Sequence, residues 1–281
     1  FSAAETADIC NSSRKKSHIC TACPAVVSYV EKYEPEKIGL LTPVVSPMIA
    51  HARHIKNRLG KDSAVVFIGP CVAKKAEAER EEYEGIVDCV LTFTELQEWF
   101  DREGITLSAC EESRFDEDPA GAARGFPLAG GSNKTAFMST DLLAAEVVSA
   151  TGFEEVKEAI ANADISGAAV VEPLFCRMGC INGPALTAEN NIYLRRRDVI
   201  EYLEQNPGIN PESQEMPAEG LRTHFYSSEP DIALPEITEQ QIQKVLEKTG
   251  KTAPENHLNC GACGYPTCRE KAVAVIKGMA E

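Results

Sequence analysis

Apolar side chains recur at helical spacing through residues 25–37 (AVVSYVEKYEPEK) and 46–59 (SPMIAHARHIKNRL). Ser46–Pro47 sets an N-cap before a proline in the first turn of the second of these helices. The pattern then changes. SAVVFIG, residues 63–69, is a short unbroken β-branched run of the kind that forms a strand buried on both faces. IVDCVLTF, residues 86–93, is a second such run, followed by a helix from Thr94, and AAVVEPLF, residues 168–175, is a third, weakened by Pro173. Residues 136–151 and 154–162 read as helices, and Phe1 stands inside another helical pattern. Apolar strands alternating with helices predict an α/β fold with largely parallel sheets flanked by helices.

Residues 109–135 are acidic, contain Pro119 and run through Gly125-Phe126-Pro127-Leu128-Ala129-Gly130-Gly131. An irregular stretch of that length reads as a functional loop. From 206 to 236 the apolar periodicity fades and prolines accumulate, which reads as a linker. Residues 238–249 then form a short helix leading to a last cysteine group. The expected organisation is a domain over 1–205, a linker over 206–236 and a small second domain over 237–281. A start at Phe1 rather than Met suggests a piece cut from a longer chain.

The sequence has 281 residues, a net charge of −15 and a pI near 4.9. That charge argues against nucleic acid and anionic membrane as partners. It suits a protein exchanging electrons with a small carrier. No apolar run approaches the ~18–20 residues of a membrane span, and no secretory pattern opens the chain. The expected location is cytoplasmic, where the eleven cysteines stay reduced and serve as metal ligands more readily than as disulfides.

Three segments bring thiols to strand ends: Cys71 just after SAVVFIG, Cys176 and Cys180 just after AAVVEPLF, and Cys20 and Cys23 after Ser17-His18-Ile19. Ligands in open α/β sheets bind outside the carboxyl ends of strands, so these thiols can meet around one object. Soft thiolates suit iron–sulfur clusters and zinc. Scattered histidines and a single C-x2-C pair in this group, where zinc would more typically use two, favour the former, with zinc as the alternative. Cys89 and Cys110 read as small buried hydrophobes, and Cys10 has no assigned role. The tail Cys260-Gly-Ala-Cys263-Gly-Tyr-Pro-Thr-Cys268 spaces its thiols C-x2-C-x4-C. It is one ligand short of a 4Fe-4S set; the fourth is expected beyond residue 281, with a three-iron cluster or zinc as alternatives.

Taken together, Cys20-Thr21-Ala22-Cys23-Pro24, the run Gly69-Pro70-Cys71-Val72-Ala73-Lys74-Lys75-Ala76-Glu77 and the run from Glu172 to Gly183 resemble the signature motifs of the iron-only hydrogenase catalytic domain. The resemblance covers about residues 1–200. It implies that Cys23, Cys71, Cys176 and Cys180 hold a 4Fe-4S cubane, with Cys180 bridging to a two-iron subcluster to complete the H-cluster. It also implies that Lys74 hydrogen-bonds a cyanide, that Glu77 lies near the lysine, and that Phe126 walls the pocket. Surface roles for Lys74 and Glu77 are the plain alternatives. Leu174, Met48 and Gly69 depart from the family's commoner residues.

The largest departure is Ala22, which stands where the family usually has a proton-relaying cysteine. A methyl group passes no proton. Cys20 or Thr42 could serve another path. Alanine at that position resembles subgroups thought to be slow hydrogenases or hydrogen sensors, and the tail resembles their small cluster domains. The expected activity is therefore slow, reversible H2 oxidation. A sensor in a signalling protein and a non-catalytic iron–sulfur protein, like the hydrogenase-related cluster-assembly factors, are the alternatives. Expected partners are H2 and a ferredoxin-like electron carrier, or fused iron–sulfur or signalling domains.

Overall fold

The structure is a computed structural model that describes residues 1–13, 17–113, 115–116, 121–136, 138–141, 143–186, 190–206, 220–228, 237–278 and 280. It divides into two compact units, Phe1–Glu229 and Pro230–Glu281.

In the larger unit, strands β1 (His18–Ile19), β4 (Val147–Thr151) and β5 (Val170–Leu174) form a sheet in the order β1-β5-β4, while β2 (Val66–Gly69) and β3 (Cys89–Thr92) form a second sheet. Every ladder is parallel. The two faces of the first sheet follow the period of two. Ile19, Ala150 and Val171 face a core with Val26 and Val30 of α2 (Pro24–Tyr33) and Val156 and Ile160 of α7 (Phe153–Ala161). On the other face Val170 and Cys20 pack with Cys10 of α1 (Ser2–Ser12). A proline in the central strand is tolerated because β1 pairs with β5 only at Val170 and Val171, so no neighbour on that side requires an N–H from Pro173.

The second sheet carries α3 (Pro47–Leu59) against a core of Val45, Ile49, Val65 and Val90. The Ser46 hydroxyl accepts from the N–H of Ile49, and Pro47 opens the helix, as the sequence predicts. α4 (Ala73–Ala78) follows β2, and α5 (Phe93–Glu103) follows β3 behind a capping box of Thr92 and Glu95. This sheet is covered less completely than the unbroken apolar run predicts: Val66 and Ile68 are 52% and 43% exposed. Cys89, on the same open strand pair, is exposed, and so is Cys110; neither is the buried hydrophobe expected.

The expected helix over 136–151 is absent at its end, where Val147–Thr151 is instead the edge strand β4. β-branched Val147, Val148 and Thr151 gain a full ladder against β5 there, which outweighs local helical periodicity. Within the loop-rich stretch, Gly131–Thr135 forms the short helix α6. Helix α8 (Ile192–Gln205) was not anticipated from the sequence. Residues 220–228, inside the stretch read as linker, are packed into the larger unit. Leu221 is buried and its carbonyl accepts from Val45 N–H (2.9 Å), Thr223 N–H donates to Pro43 (3.2 Å), and Arg222 pairs with Glu5.

The smaller unit pairs α9 (Glu239–Lys248) with α10 (Cys268–Ile276) through Ile242, Leu246 and Ala272. Capping boxes at Thr238/Gln241 and Thr267/Glu270 start the two helices. Arg269 bonds Glu239 (2.8 Å). No helix among the described residues is long and apolar enough to cross a membrane.

Candidate metal centre

Four cysteines approach one another from the carboxyl ends of both sheets, not from a single rim. Cys23 is the N-cap residue of α2, four residues past β1. Cys71 lies between β2 and α4, and Cys176 and Cys180 follow β5. The chain brings the last pair to Cys71 by close backbone contact. A Cβ on Gly183 would sit 2.6 Å from the Pro70 carbonyl oxygen, and Ala185 N–H donates to that same oxygen. The turn itself needs left-handed backbone at Met178 (φ 61°) and Gly179 (φ 95°). Arg195 of α8 holds it from outside, donating to the Ile181 carbonyl (2.7 Å) and to Asn182 Oδ1 (3.2 Å).

The thiols feel one another. Burial, and then repulsion from Cys23 and Cys71, push the Cys176 thiol up to about 11. Burial, and then Cys23, Cys71 and Cys176, push Cys180 up to about 12 against the pull of Lys74. Burial also raises Cys23, opposed by backbone N–H groups of Phe175 and Val26. Such thiols stay protonated until a metal supplies positive charge, so binding releases protons.

A zinc ion with sulfur at about 2.3 Å would need thiols about 3.8 Å apart. Among the described residues no three His, Cys, Asp or Glu side chains close tightly enough to hold a single ion. Four mutually interacting thiols match in number and type the four-thiolate set of an iron–sulfur cluster.

Lys74 and Glu77 are both buried and form an ion pair at 2.8 Å (Lys74 Nζ to Glu77 Oε2). Lys74 Nζ also lies 3.5 Å from the Ala22 carbonyl, so its charge has partners within the protein. Ala22 and Phe126 line a cavity of about 10 Å³ with Ser2, Thr6, Cys20, Thr21 and Ser132. That is room for about one water. Leu174 is buried at the end of β5, and Met48 is buried in α3.

Cys20 does not join the four. Its thiol is buried beside Cys10 and Glu172, all of which raise it well above the ordinary range, burial most. The Thr42 hydroxyl donates to the Ile19 carbonyl (3.0 Å) and the Thr21 hydroxyl to Val44 (2.7 Å), so both fasten β1 in place.

Two ties around the site were not read from the sequence. Glu31 of α2 makes a bidentate pair with Arg80 (2.8 Å each), joining the helix after Cys23 to the residues after α4. Glu172 of β5 accepts from Ser132 N–H (3.0 Å), joining the strand before Cys176 to the loop of Phe126. A glutamate on the apolar face of α2 was the available signal for the first.

In the smaller unit Cys260 and Cys263 are exposed and Cys268 is half-buried. Gly261 (φ 72°) and Gly264 (φ 82°) turn the chain between them, and Cys268 N–H donates to Asn259 Oδ1 (2.8 Å).

Comparison with known proteins fits this geometry. Residues 2–184 match the family model of the iron-only hydrogenase large subunit, C-terminal domain, and residues 256–281 match a model described as a putative Fe-S cluster. Iron hydrogenase 1 of Clostridium pasteurianum is 27% identical over 225 residues, covering 64% of this chain and 39% of that protein. The cytosolic Fe-S cluster assembly factor NAR1 of Vanderwaltozyma polyspora is 40% identical over 78 residues, covering 28% of this chain and 15% of that factor. The chain thus spans well under half the length of either relative. The apo FeFe hydrogenase HydA1 of Chlamydomonas reinhardtii, in a Cys-to-His variant, shares the fold at TM-score 0.63 and 16% identity over 82% of each chain. The chain belongs to the iron-only hydrogenase large-subunit family.

Proposed function

We propose that this member of the iron-only hydrogenase family is an iron–sulfur redox protein that holds a 4Fe-4S cluster on Cys23, Cys71, Cys176 and Cys180, without H2 turnover as its main activity. The observation that carries this reading is that four thiols from three chain segments act on one another, Cys23, Cys71 and Cys176 all raising Cys180. A cluster so held supplies one-electron redox chemistry. The protein's own part is to bury the thiols, to aim the N–H groups of Phe175 and Val26 at Cys23, and to set the Lys74 ammonium close enough to draw Cys23 and Cys180 toward thiolate. Hydrogen bonds and positive charge near the sulfurs favour the reduced, more negative state.

Two features argue against H2 turnover. Ala22 offers no proton relay, the Thr42 hydroxyl is committed to the Ile19 carbonyl, and burial beside Glu172 and Cys10 holds the Cys20 thiol well above the ordinary range. Lys74 is satisfied by Glu77 and Ala22, so its burial does not require a cyanide. The likeness to curated cluster-assembly factors supports the same reading. In the smaller unit, Cys260, Cys263 and Cys268 contribute to a second cluster.

A second reading, a slow hydrogenase or H2-sensing domain with the full H-cluster, is favoured by the likeness to iron hydrogenase 1, which covers 64% of this chain. Infrared spectroscopy separates the two. After exposure to hydrogenase maturation proteins, the first reading predicts an intact cubane with no CO or cyanide bands and no H2/D2 exchange. Both bands and exchange, rising further in Ala22→Cys, would establish the second.

A further inference from the structure

Four aromatic rings lead from the thiol site to the surface. Phe175 directs its backbone N–H at Cys23 and precedes Cys176 in the chain. Its ring packs on Tyr29 (5.6 Å between centroids) and Phe153 (5.8 Å), and Tyr29 packs on Phe153 (6.2 Å) and Tyr33 (5.6 Å). The outer pair is open to water: Tyr33 is 51% exposed and Phe153 48%. Large exposed aromatic rings are common anchors of protein interfaces, and singly placed ones need no explanation, but these two belong to one packed group.

The rim of this group is acidic. Glu34 accepts from the Tyr29 hydroxyl (3.2 Å). Burial, and then Glu34, Glu154 and Glu36, push that hydroxyl up to about 12. Lys37 on the same side is neutralised by Asp164 (2.7 Å). Exposed Arg177, beside Gly152, and exposed Lys157, one turn after Phe153 on α7, are cations at the edge, set against Glu34, Glu36, Glu154 and Glu155. The whole chain carries −15.

We propose that the Tyr33–Phe153 patch is the docking surface for a small electron-carrier protein with a basic contact face. The proposal rests on the reading of Cys23 and Cys176 as cluster ligands, since that is what makes this the side of the unit where a carrier gains from docking. Exchange there moves one electron to the carrier's oxidised metal centre, with no proton transferred and no bond made or broken. Acidic rim charges steer a basic partner and set its salt dependence, while the aromatic pair supplies the desolvated contact.

The test uses cytochrome c as the basic carrier and an acidic plant-type ferredoxin as its counterpart, with equilibrium binding as the first readout. Binding needs no electron flow, so it reports on the surface even in chains without iron. Cytochrome c should bind at low salt and weaken steeply as salt rises. Glu36→Lys/Glu154→Lys should weaken it about tenfold, and Tyr33→Ser/Phe153→Ser about fivefold or more. Glu36 and Glu154 are exposed surface charges, so the charge-reversal variant keeps the fold, and the melting temperature of the serine variant checks that loss of ring packing has not unfolded it. Reversal of Glu98 and Glu103 on α5 should change binding less than twofold. In iron-loaded protein reduced by dithionite, cytochrome c reduction should slow in the same two variants. Equal loss from the α5 reversal, preference for the ferredoxin, or a dimer of this chain that the serine variant dissolves would each overturn the proposal. Protein that takes up no iron on anaerobic reconstitution and yet binds through the patch would instead tell against the cluster reading and leave the surface standing.

Discussion

Gly179→Ala isolates the backbone contact that positions Cys180. A Cβ at this position would lie 2.3 Å from the Pro127 carbonyl oxygen and 3.3 Å from the Ala129 nitrogen, and the backbone φ is +95°. With ψ at −173° this is a conformation essentially reserved for glycine, and it costs an L-residue about 1–3 kcal/mol. The clash with a backbone carbonyl that cannot rotate away adds about 1–3 kcal/mol. Gly167→Ala is the control, because Gly167 has φ +76° and nothing within 4 Å of its would-be Cβ. It carries a positive-φ cost without the backbone clash. The difference of about 2 kcal/mol corresponds to about 4–8 °C in the melting temperature of a unit of this size. Both variants are best made in a chain with Cys260, Cys263 and Cys268 changed to serine, so that iron reports on the first site alone. The Gly179 variant should melt lower than the Gly167 variant by that margin and keep less than half of its iron. Equal melting temperatures with full iron in both would refute the claim that the Leu128–Gly179 contact sets the Cys180 turn.

Other outcomes follow from the same geometry. Glu31→Ala leaves the Arg80 guanidinium with only Glu82 and should destabilise the larger unit by about 2–4 kcal/mol in chemical denaturation, partly recovered in the Glu31→Ala/Arg80→Ala double variant. Burial raises the Glu172 carboxyl above the usual range against hydrogen bonds from Ser132, Asn133 and Ser149, so the folded chain holds its proton longer than the unfolded chain. Its contribution is fully present below about pH 4.5 and is lost as pH rises through the folded value. The stability of wild type relative to Glu172→Gln should therefore fall as pH rises from that point, and a difference independent of pH would count against a buried, proton-holding carboxyl. Cys20→Ser should leave the iron content of the first site unchanged, because its thiol faces Cys10 and Glu172; loss of the cluster on direct iron analysis would return Cys20 to the ligand set.

The ligand motifs were legible because each is local: a short β-branched strand, a turn, then a thiol within a few residues. Parallel sheets and most helices followed from periodicity and from caps such as Ser46–Pro47. What escaped is long-range. Val147–Thr151 is strand only because β5 lies beside it, and no local signal overrides the alanine-rich helical pattern before it. Residues 220–228 look like linker by composition, yet backbone bonds to Pro43 and Val45 lace them into the larger unit. The convergence of two sheets on one site depends on Pro70 meeting Gly183, residues more than a hundred positions apart. Exposure of Cys89 likewise reflects a two-stranded sheet left open on one face, which an apolar run cannot reveal.

The most direct test of the four-thiol centre is Mössbauer and EPR spectroscopy on iron-loaded chain whose three tail cysteines are serines, with Cys23, Cys71, Cys176 and Cys180 then changed to alanine one at a time. The parent should hold four irons as one 4Fe-4S cluster that becomes paramagnetic on one-electron reduction, and each alanine variant should lose or degrade that signal. One zinc per chain in place of iron, or an unchanged cluster in any two of the four variants, would contradict it.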